Sequence, residues 1–207
     1  MEAAALRALL APFVPPAELD EALLDSVRVH LDLLCRWNQR MNLTSLRTPE
    51  AMVERHFGES LFAARHLLAR DSVQGVFDLG SGAGFPGLPM KYWAPMIPLA
   101  LIESHGKKAT FLREVARALQ LADVAMLNLR AETIPGRAEL VSLRAVEHFE
   151  QILPAAVRLV APGGRLALLI GESQRDRALS LLPSGGSSSV NIPCSQQRIL
   201  LTWQPPA

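Results

Sequence analysis

Residues 76–87 read Val76-Phe77-Asp78-Leu79-Gly80-Ser81-Gly82-Ala83-Gly84-Phe85-Pro86-Gly87. Val76 to Leu79 is a short apolar run holding one acid, Asp78, and it breaks into four glycines within eight residues, Gly80, Gly82, Gly84 and Gly87. A strand entering such a turn presents backbone N–H groups with no side chains in the way, so a ligand can approach closely. A tight strand-to-helix turn without a ligand needs fewer glycines. The spacing departs from the G-x-G-x-x-G dinucleotide fingerprint, because Phe85 stands where that pattern requires its third glycine.

The same organisation continues downstream. Ile97 to Ile102 is a second apolar run, ending on Glu103, 19 residues after Gly84. In open α/β sheets an acid at the end of the second strand accepts hydrogen bonds from a ribose; an acid there also favours the start of a following helix. The pattern predicts strands at 75–80, 97–103, 123–129, 139–144 and 164–171, with helices at 87–93, 106–120, 147–160 and 173–182. A turn at Pro162-Gly163-Gly164 leads into the fifth strand, and Pro183 to Ser189 reads as a flexible connection. Two closing antiparallel strands follow at 190–194 and 197–203. This alternation implies a seven-stranded, mostly parallel α/β sheet.

Residues 1–72 read differently. Leu19, Leu23, Val27, Leu31 and Leu34 recur at helical spacing over 18–37, and Val53, Phe57, Leu61, Ala64 and Leu68 form a second helical face. Between them, Thr48-Pro49-Glu50 is a helix start, with a hydroxyl cap and proline in the first turn. The expected organisation is a helical N-terminal extension over 1–72 and an α/β domain over 73–207.

The motifs now support a resemblance. Gly80-x-Gly82-x-Gly84 behind an acid resembles the first motif of S-adenosylmethionine (SAM) methyltransferases. Asp78 through Pro89, then Leu101-Ile102-Glu103-Ser104-His105-Gly106-Lys107-Lys108 and Phe111-Leu112, resemble the glucose-inhibited division protein B family, the ribosomal small-subunit methyltransferase G enzymes. Trp37-Asn38 with Asn42-Leu43-Thr44, Arg55-His56 with Glu59-Ser60, and Ser142-Leu143-Arg144-Ala145-Val146 are similar to further motifs of that family. The likeness covers about residues 31–172, and an ordered set of motifs is far more specific than one glycine loop. This sequence departs from the family at Ile170-Gly171, where Lys-Gly is common, at Gly58, at Glu139, and in the tail before Ile199.

The resemblance implies a Rossmann-like class I SAM-dependent methyltransferase fold and methylation of guanosine N7 in 16S ribosomal RNA near the decoding site. It places the cofactor on Asp78, Gly80, Gly82, Gly84 and Phe85, on Glu103, Ser104 and His105, on Ala131 and Glu132, and at Arg144. Arg144 is the first candidate for holding cofactor or substrate. No general base is nominated. Arg36, Arg40, Asn42, Arg47, Lys107 and Lys108 are candidate RNA contacts.

Composition is compatible. Of the 207 residues 49% are apolar, enough for a sizeable core. Cys35 and Cys194 have neither metal nor disulfide-framework spacing, which points to a reducing cytoplasm and no metal site. The start Met1-Glu2 has no basic flank typical of a signal peptide, and no apolar run approaches a membrane span. The net charge of +1 is uninformative, but its distribution is not. Residues 27–70 carry seven arginines and three histidines against four acids, a segment able to bind phosphates or simply to be solvated. The expected state is a monomer acting on the small ribosomal subunit. A SAM enzyme with another substrate, and an RNA-binding or assembly factor of the same fold, are the competing readings.

Overall fold

The structure, a computed structural model, describes residues 1–144 and 149–206. The chain opens with α1 (Ala3–Leu10) and α2 (Glu21–Asn38). Asp20 caps α2 by accepting from the Leu23 N–H at 2.8 Å. Thr48 caps α3 (Pro49–Met52) as its sequence context predicts, accepting from the Ala51 N–H. One π-helical stretch, Val53–Gly58, leads into α4 (Glu59–Leu67). Gly58 is needed there: a Cβ at that position would lie 2.5 Å from the ring of Phe13.

The sheet is built from β1 (Val76–Leu79), β2 (Leu99–Ile102), β3 (Val124–Leu127), β4 (Ala138–Arg144), β5 (Val160–Gly171), β6 (Gly186–Asn191) and β7 (Arg198–Gln204). Between these strands lie α5 (Gly87–Trp93), α6 (Gly106–Ala118), α7 (Phe149–Arg158) and α8 (Arg175–Leu181). The strand order is β3-β2-β1-β4-β5-β7-β6. Pairs among β1 to β5 are parallel, and β7 is antiparallel to both β5 and β6. The order reverses at β1, whose neighbours are β2 and β4. Ligands bind outside the carboxyl ends of strands at such a switch point.

Alternation along each strand feeds two cores. Leu99 and Leu101 join α1, α2 and α4–α6 in one buried cluster, while Ala100 and Ile102 face the other, with Leu153 of α7 and Ala178 of α8. The N-terminal helices therefore cover one face of the sheet.

Two features of the sheet differ from the sequence reading. The stretch 183–189 is not a loop throughout, because β6 starts at Gly186 and pairs Gly186 through Asn191 with β7. It is an exposed edge strand of small polar residues, which lacks the apolar alternation that identifies a half-buried strand. Pro162-Gly163 lies within β5 where the register shifts between Ala138 and Leu140, so the turn is an irregularity inside the strand. The segment after β3 is a single 3₁₀ turn, Ala131–Thr133, before β4. The helix expected from 147 is described from Phe149 on; residues 145–148, including Ala145 and Val146 of the Ser142–Val146 segment, lie outside the described residues.

Candidate active site

The loops after β1 and β2 meet at the carboxyl ends of these strands, and Asn128 after β3 adjoins them. The turn after β1 uses positive φ at Gly80 (66°), Gly82 (55°) and Gly84 (93°), conformations that side chains rarely adopt. The glycines divide by surroundings. Gly80 is exposed, and a Cβ on Gly82 would meet nothing closer than 3.7 Å. A Cβ on Gly84 would strike Leu88 at 2.4 Å, and one on Gly87 would strike Leu101 and Asp78. The first two open the crevice; the latter two let α5 pack close to β1 and α6.

Glu103 is buried, and its carboxylate links two of the loops. Oε2 accepts from the Gly82 N–H at 2.9 Å and Oε1 from the His105 N–H at 2.7 Å. An ionised carboxylate has about four acceptor sites, so two bonds leave capacity for ribose hydroxyls. Asn128 adds a bond to the Glu103 carbonyl at 2.7 Å. Ser104 and His105 are exposed beside it. Ala131 is buried in the turn after β3, while the Glu132 side chain is exposed.

Asp78 takes a different place from the one its motif suggests. It is completely buried, accepting from Ser142 Oγ at 2.8 Å and from the Gly87 N–H at 3.2 Å. Burial pushes its carboxyl up to about 7, against the pull of these hydrogen bonds. Asp78 thus ties the base of the glycine turn to β4 instead of lining the crevice, because the β1–β4 register sets it opposite Ser142.

Phe85 is likewise drawn in. Its ring lies between the imidazoles of His30 and His56, with centroids 5.0 and 4.8 Å away and interplanar angles of 9° and 22°. A cofactor contact at Phe85 would therefore run through its backbone.

Arg144 ends β4 at the switch point, but its guanidinium is engaged. Nη2 pairs with Glu59 at 3.0 Å and bonds the Arg55 carbonyl, and Nη1 donates to His56 Nδ1 at 2.9 Å. Its side chain is 8% exposed, so it is an internal ion pair with the helical extension and not an open cation in the crevice. Glu59, 1% exposed, also pairs with Arg55 and Arg198, each at 3.0 Å. Arg144 Nε and Arg198 Nη2 are buried without a partner among the described residues. Glu59 was legible in the sequence solely as part of the Arg-His…Glu-Ser segment; its convergence with Arg198 depends on a contact 139 residues apart.

Since Arg144 can only donate, His56 Nδ1 is an acceptor and Nε2 carries the proton toward Thr44 Oγ1, 2.7 Å away. Burial first, and then the charge of Arg144, lower the His56 pKa to about 3. Thr44 therefore bonds His56 as well as the Leu46 N–H, and Asn38 accepts from the Thr44 N–H at 3.0 Å.

The candidate RNA contacts separate. Arg36, Arg40 and Lys107 line one cleft of about 790 Å³ between the end of α2 and the start of α6, with Trp37, Thr110 and Glu114. Trp37 is partly buried and donates to Glu114 at 3.1 Å. Asn42 and Arg47 are exposed on the loop between α2 and α3, and Lys108 is half-buried; none of these three lines that cleft.

Comparison with known proteins identifies the fold and the family. The family model described as GidB, rRNA small subunit methyltransferase G, matches residues 24–187. A ribosomal RNA small subunit methyltransferase G of Chloroflexus aggregans is 40% identical over 189 residues, covering 83% of this chain and 77% of the relative. One of Myxococcus xanthus is 37% identical over 152 residues, covering 71% and 69%. Among solved structures, a ribosomal protein L11 methylase of Lactobacillus delbrueckii superposes with TM-score 0.60 at 14% identity, over 72% of this chain and 78% of that one. TYW2 of P. horikoshii, solved in complex with MeSAdo, gives 0.57 at 16% identity, over 72% and 62%. The fold is that of the Rossmann-like class I methyltransferases, and by sequence the chain belongs to the rRNA small subunit methyltransferase G family.

Proposed function

We propose that this protein transfers a methyl group from SAM to N7 of a guanosine in 16S ribosomal RNA, near the decoding site. The observation that carries the reading is the crevice at the β1 switch point, joined to family membership. Its open glycines and the spare acceptor capacity of Glu103 fit the amino-acid and ribose portions of SAM. Bound there, SAM supplies an electrophilic methyl on a sulfonium sulfur.

What the chain itself does is align and enclose. Gly80 and Gly82 offer backbone to the cofactor, Glu103 takes the ribose, and Ser104, His105, Ala131 and Glu132 border the adenine side. Asp78 and Ser142 hold the turn from beneath. Guanine N7 carries a lone pair at neutral pH, so no proton has to leave first, and catalysis by positioning suffices. His30 and His56 fit that chemistry, since burial keeps both neutral, with pKa about 3. Arg144 acts in this reading by fixing His56 and Glu59 beside Phe85. Arg36, Arg40, Asn42, Arg47, Lys107 and Lys108 meet RNA phosphates. Among the described residues no helix is long and apolar enough to cross a membrane, and the proposed setting is a monomer working on the small ribosomal subunit in the cytoplasm.

The test is radiolabel transfer from SAM to 16S rRNA, to small subunits and to a pool of small metabolites and proteins. Label in the RNA supports the reading. Label elsewhere points to a different acceptor, and SAM binding without transfer points to an assembly factor.

A further inference from the structure

Asp78 holds the glycine turn at its base and Glu103 holds it at Gly82. A third support comes from outside the α/β sheet. His30, on α2, is 0% exposed, and its Nε2 lies 2.9 Å from the Ala83 carbonyl oxygen. A carbonyl can only accept, so Nε2 carries the proton and Nδ1 accepts from the Tyr92 hydroxyl, 3.0 Å away. The ring also stacks on Phe85 and meets the edge of Phe57. Burial holds the imidazole neutral, so this tautomer persists throughout the physiological range.

The placement has a consequence for the loop. The other inward positions of α2 are leucines and valine: Leu23, Leu24, Val27, Leu31, Leu33 and Leu34. An apolar residue at position 30 would fit that pattern, whereas a buried imidazole needs partners for both nitrogens. Both partners lie in the glycine turn or in α5, which follows it. Ala83 sits between Gly82 and Gly84, whose positive φ values allow the flanking peptides wide freedom. The Ala83 carbonyl belongs to the Ala83–Gly84 peptide, whose Gly84 N–H bonds the Ser81 carbonyl, so the His30 bond steadies the turn directly after Gly82, whose own N–H points to Glu103.

We propose that His30 is a positioning residue for the cofactor: through its Nε2–H bond to Ala83 it holds the glycine turn in the conformation that receives SAM. The N-terminal helices are then part of the cofactor site as well as of the RNA surface. The inference rests on the reading that SAM binds at this turn.

Calorimetric SAM titration and steady-state kinetics test it. His30→Phe keeps a ring but loses both bonds, and His30→Asn is too short to reach the carbonyl. Each is expected to raise the SAM Kd and KM by about tenfold, the worth of one buried hydrogen bond, with a smaller change in kcat. His30→Gln, which can still offer an N–H to Ala83, should recover most of the loss. Tyr92→Phe removes the other bond to the same ring and should leave SAM affinity within about twofold, since the Ala83 bond remains. Folded His30 variants that lose thermal stability but bind SAM like wild type would overturn the proposal. So would a Tyr92→Phe protein as impaired as they are. Should neither His30 variant fold, the ¹⁵N-labelled wild type decides: the His30 Nε2–H resonance should shift on SAM saturation, and an unmoved resonance counts against the role. Wild-type protein that fails to bind SAM would instead reject the cofactor reading itself.

Discussion

Gly82 and Gly84 are two residues apart and do different work. Gly82→Val places a branched side chain at φ 55° in open space facing the crevice. Its expected effect is a loss of SAM affinity of about tenfold or more, read by calorimetry, with a folded protein. Gly84→Ala pushes a methyl into Leu88 and is expected to cost about 1–3 kcal/mol of stability by overpacking, read by denaturant unfolding. Unchanged SAM affinity in Gly82→Val would move the site elsewhere. The buried titratable groups make a separate prediction. His30 and His56 are depressed to about 3, so below about pH 6.5 they bind protons in the unfolded chain alone, and stability falls as pH drops. Asp78 is raised to about 7, so between about pH 4 and 7 it keeps its proton in the folded chain alone, which opposes that trend. From these three groups, two protons against one leave a net slope of about 1.4 kcal/mol per pH unit near pH 5, with stability rising with pH and the slope fading toward about pH 6.5 as the unfolded-chain histidines lose their protons. Asp78→Asn should steepen it. The glycine motif was legible because backbone freedom is written in residue type. The role of Asp78 was not, since burial depends on Ser142, 64 residues away. His30 was hidden as well: one histidine in a leucine face reveals nothing until Ala83 is set beside it.

At the scale of elements, the helical extension is built into the core. Leu6, Leu10, Phe13, Leu23, Val27 and Leu34 are all buried in the cluster that also holds Leu101 and Leu200 of the sheet. Removal of residues 1–45 is therefore expected to abolish cooperative folding, with loss of near-UV circular dichroism. A folded, active truncated chain would show that the helices are dispensable. Surface substitutions separate RNA binding from folding. Arg40→Ala and Arg47→Ala should each leave the melting temperature nearly unchanged and lower the slope of log affinity for RNA against log salt by about one; unchanged slopes would remove these residues from the interface. The long helices and the parallel strands were readable from periodicity and turn residues. The edge strand β6 was not: Gly186 to Val190 is glycine, three serines and one valine, and its pairing with β7 is made by backbone groups that composition does not record. The π-helical stretch at Val53–Gly58 left no sequence signal either, although it carries Arg55 and His56 toward Glu59 and Arg144.

For the whole molecule, the proposed function joins the switch-point crevice, the N-terminal helices and the arginine-rich surface in one arrangement, in which cofactor and RNA would meet at the carboxyl edge of the sheet. If methyl transfer to N7 needs no proton abstraction, single-turnover rates at saturating SAM should be flat from about pH 6 to 9, because His56 and His30 stay neutral there. Any inflection near pH 7 should trace to Asp78, appear in SAM affinity and not in the saturated rate, and vanish in Asp78→Asn. A sigmoid in the saturated rate that disappears in His56→Ala would reveal a general base. The central claim, N7 methylation of a guanosine in 16S rRNA, is tested most directly by mass-spectrometric mapping of modified nucleosides in 16S rRNA from cells with and without this protein. The expected result is one N7-methylguanosine near the decoding site that is lost without the protein and restored by adding purified protein and SAM to the unmodified RNA or subunit. An unchanged N7-methylguanosine in its absence, or a restored methyl on an exocyclic amine or a ribose, would contradict it.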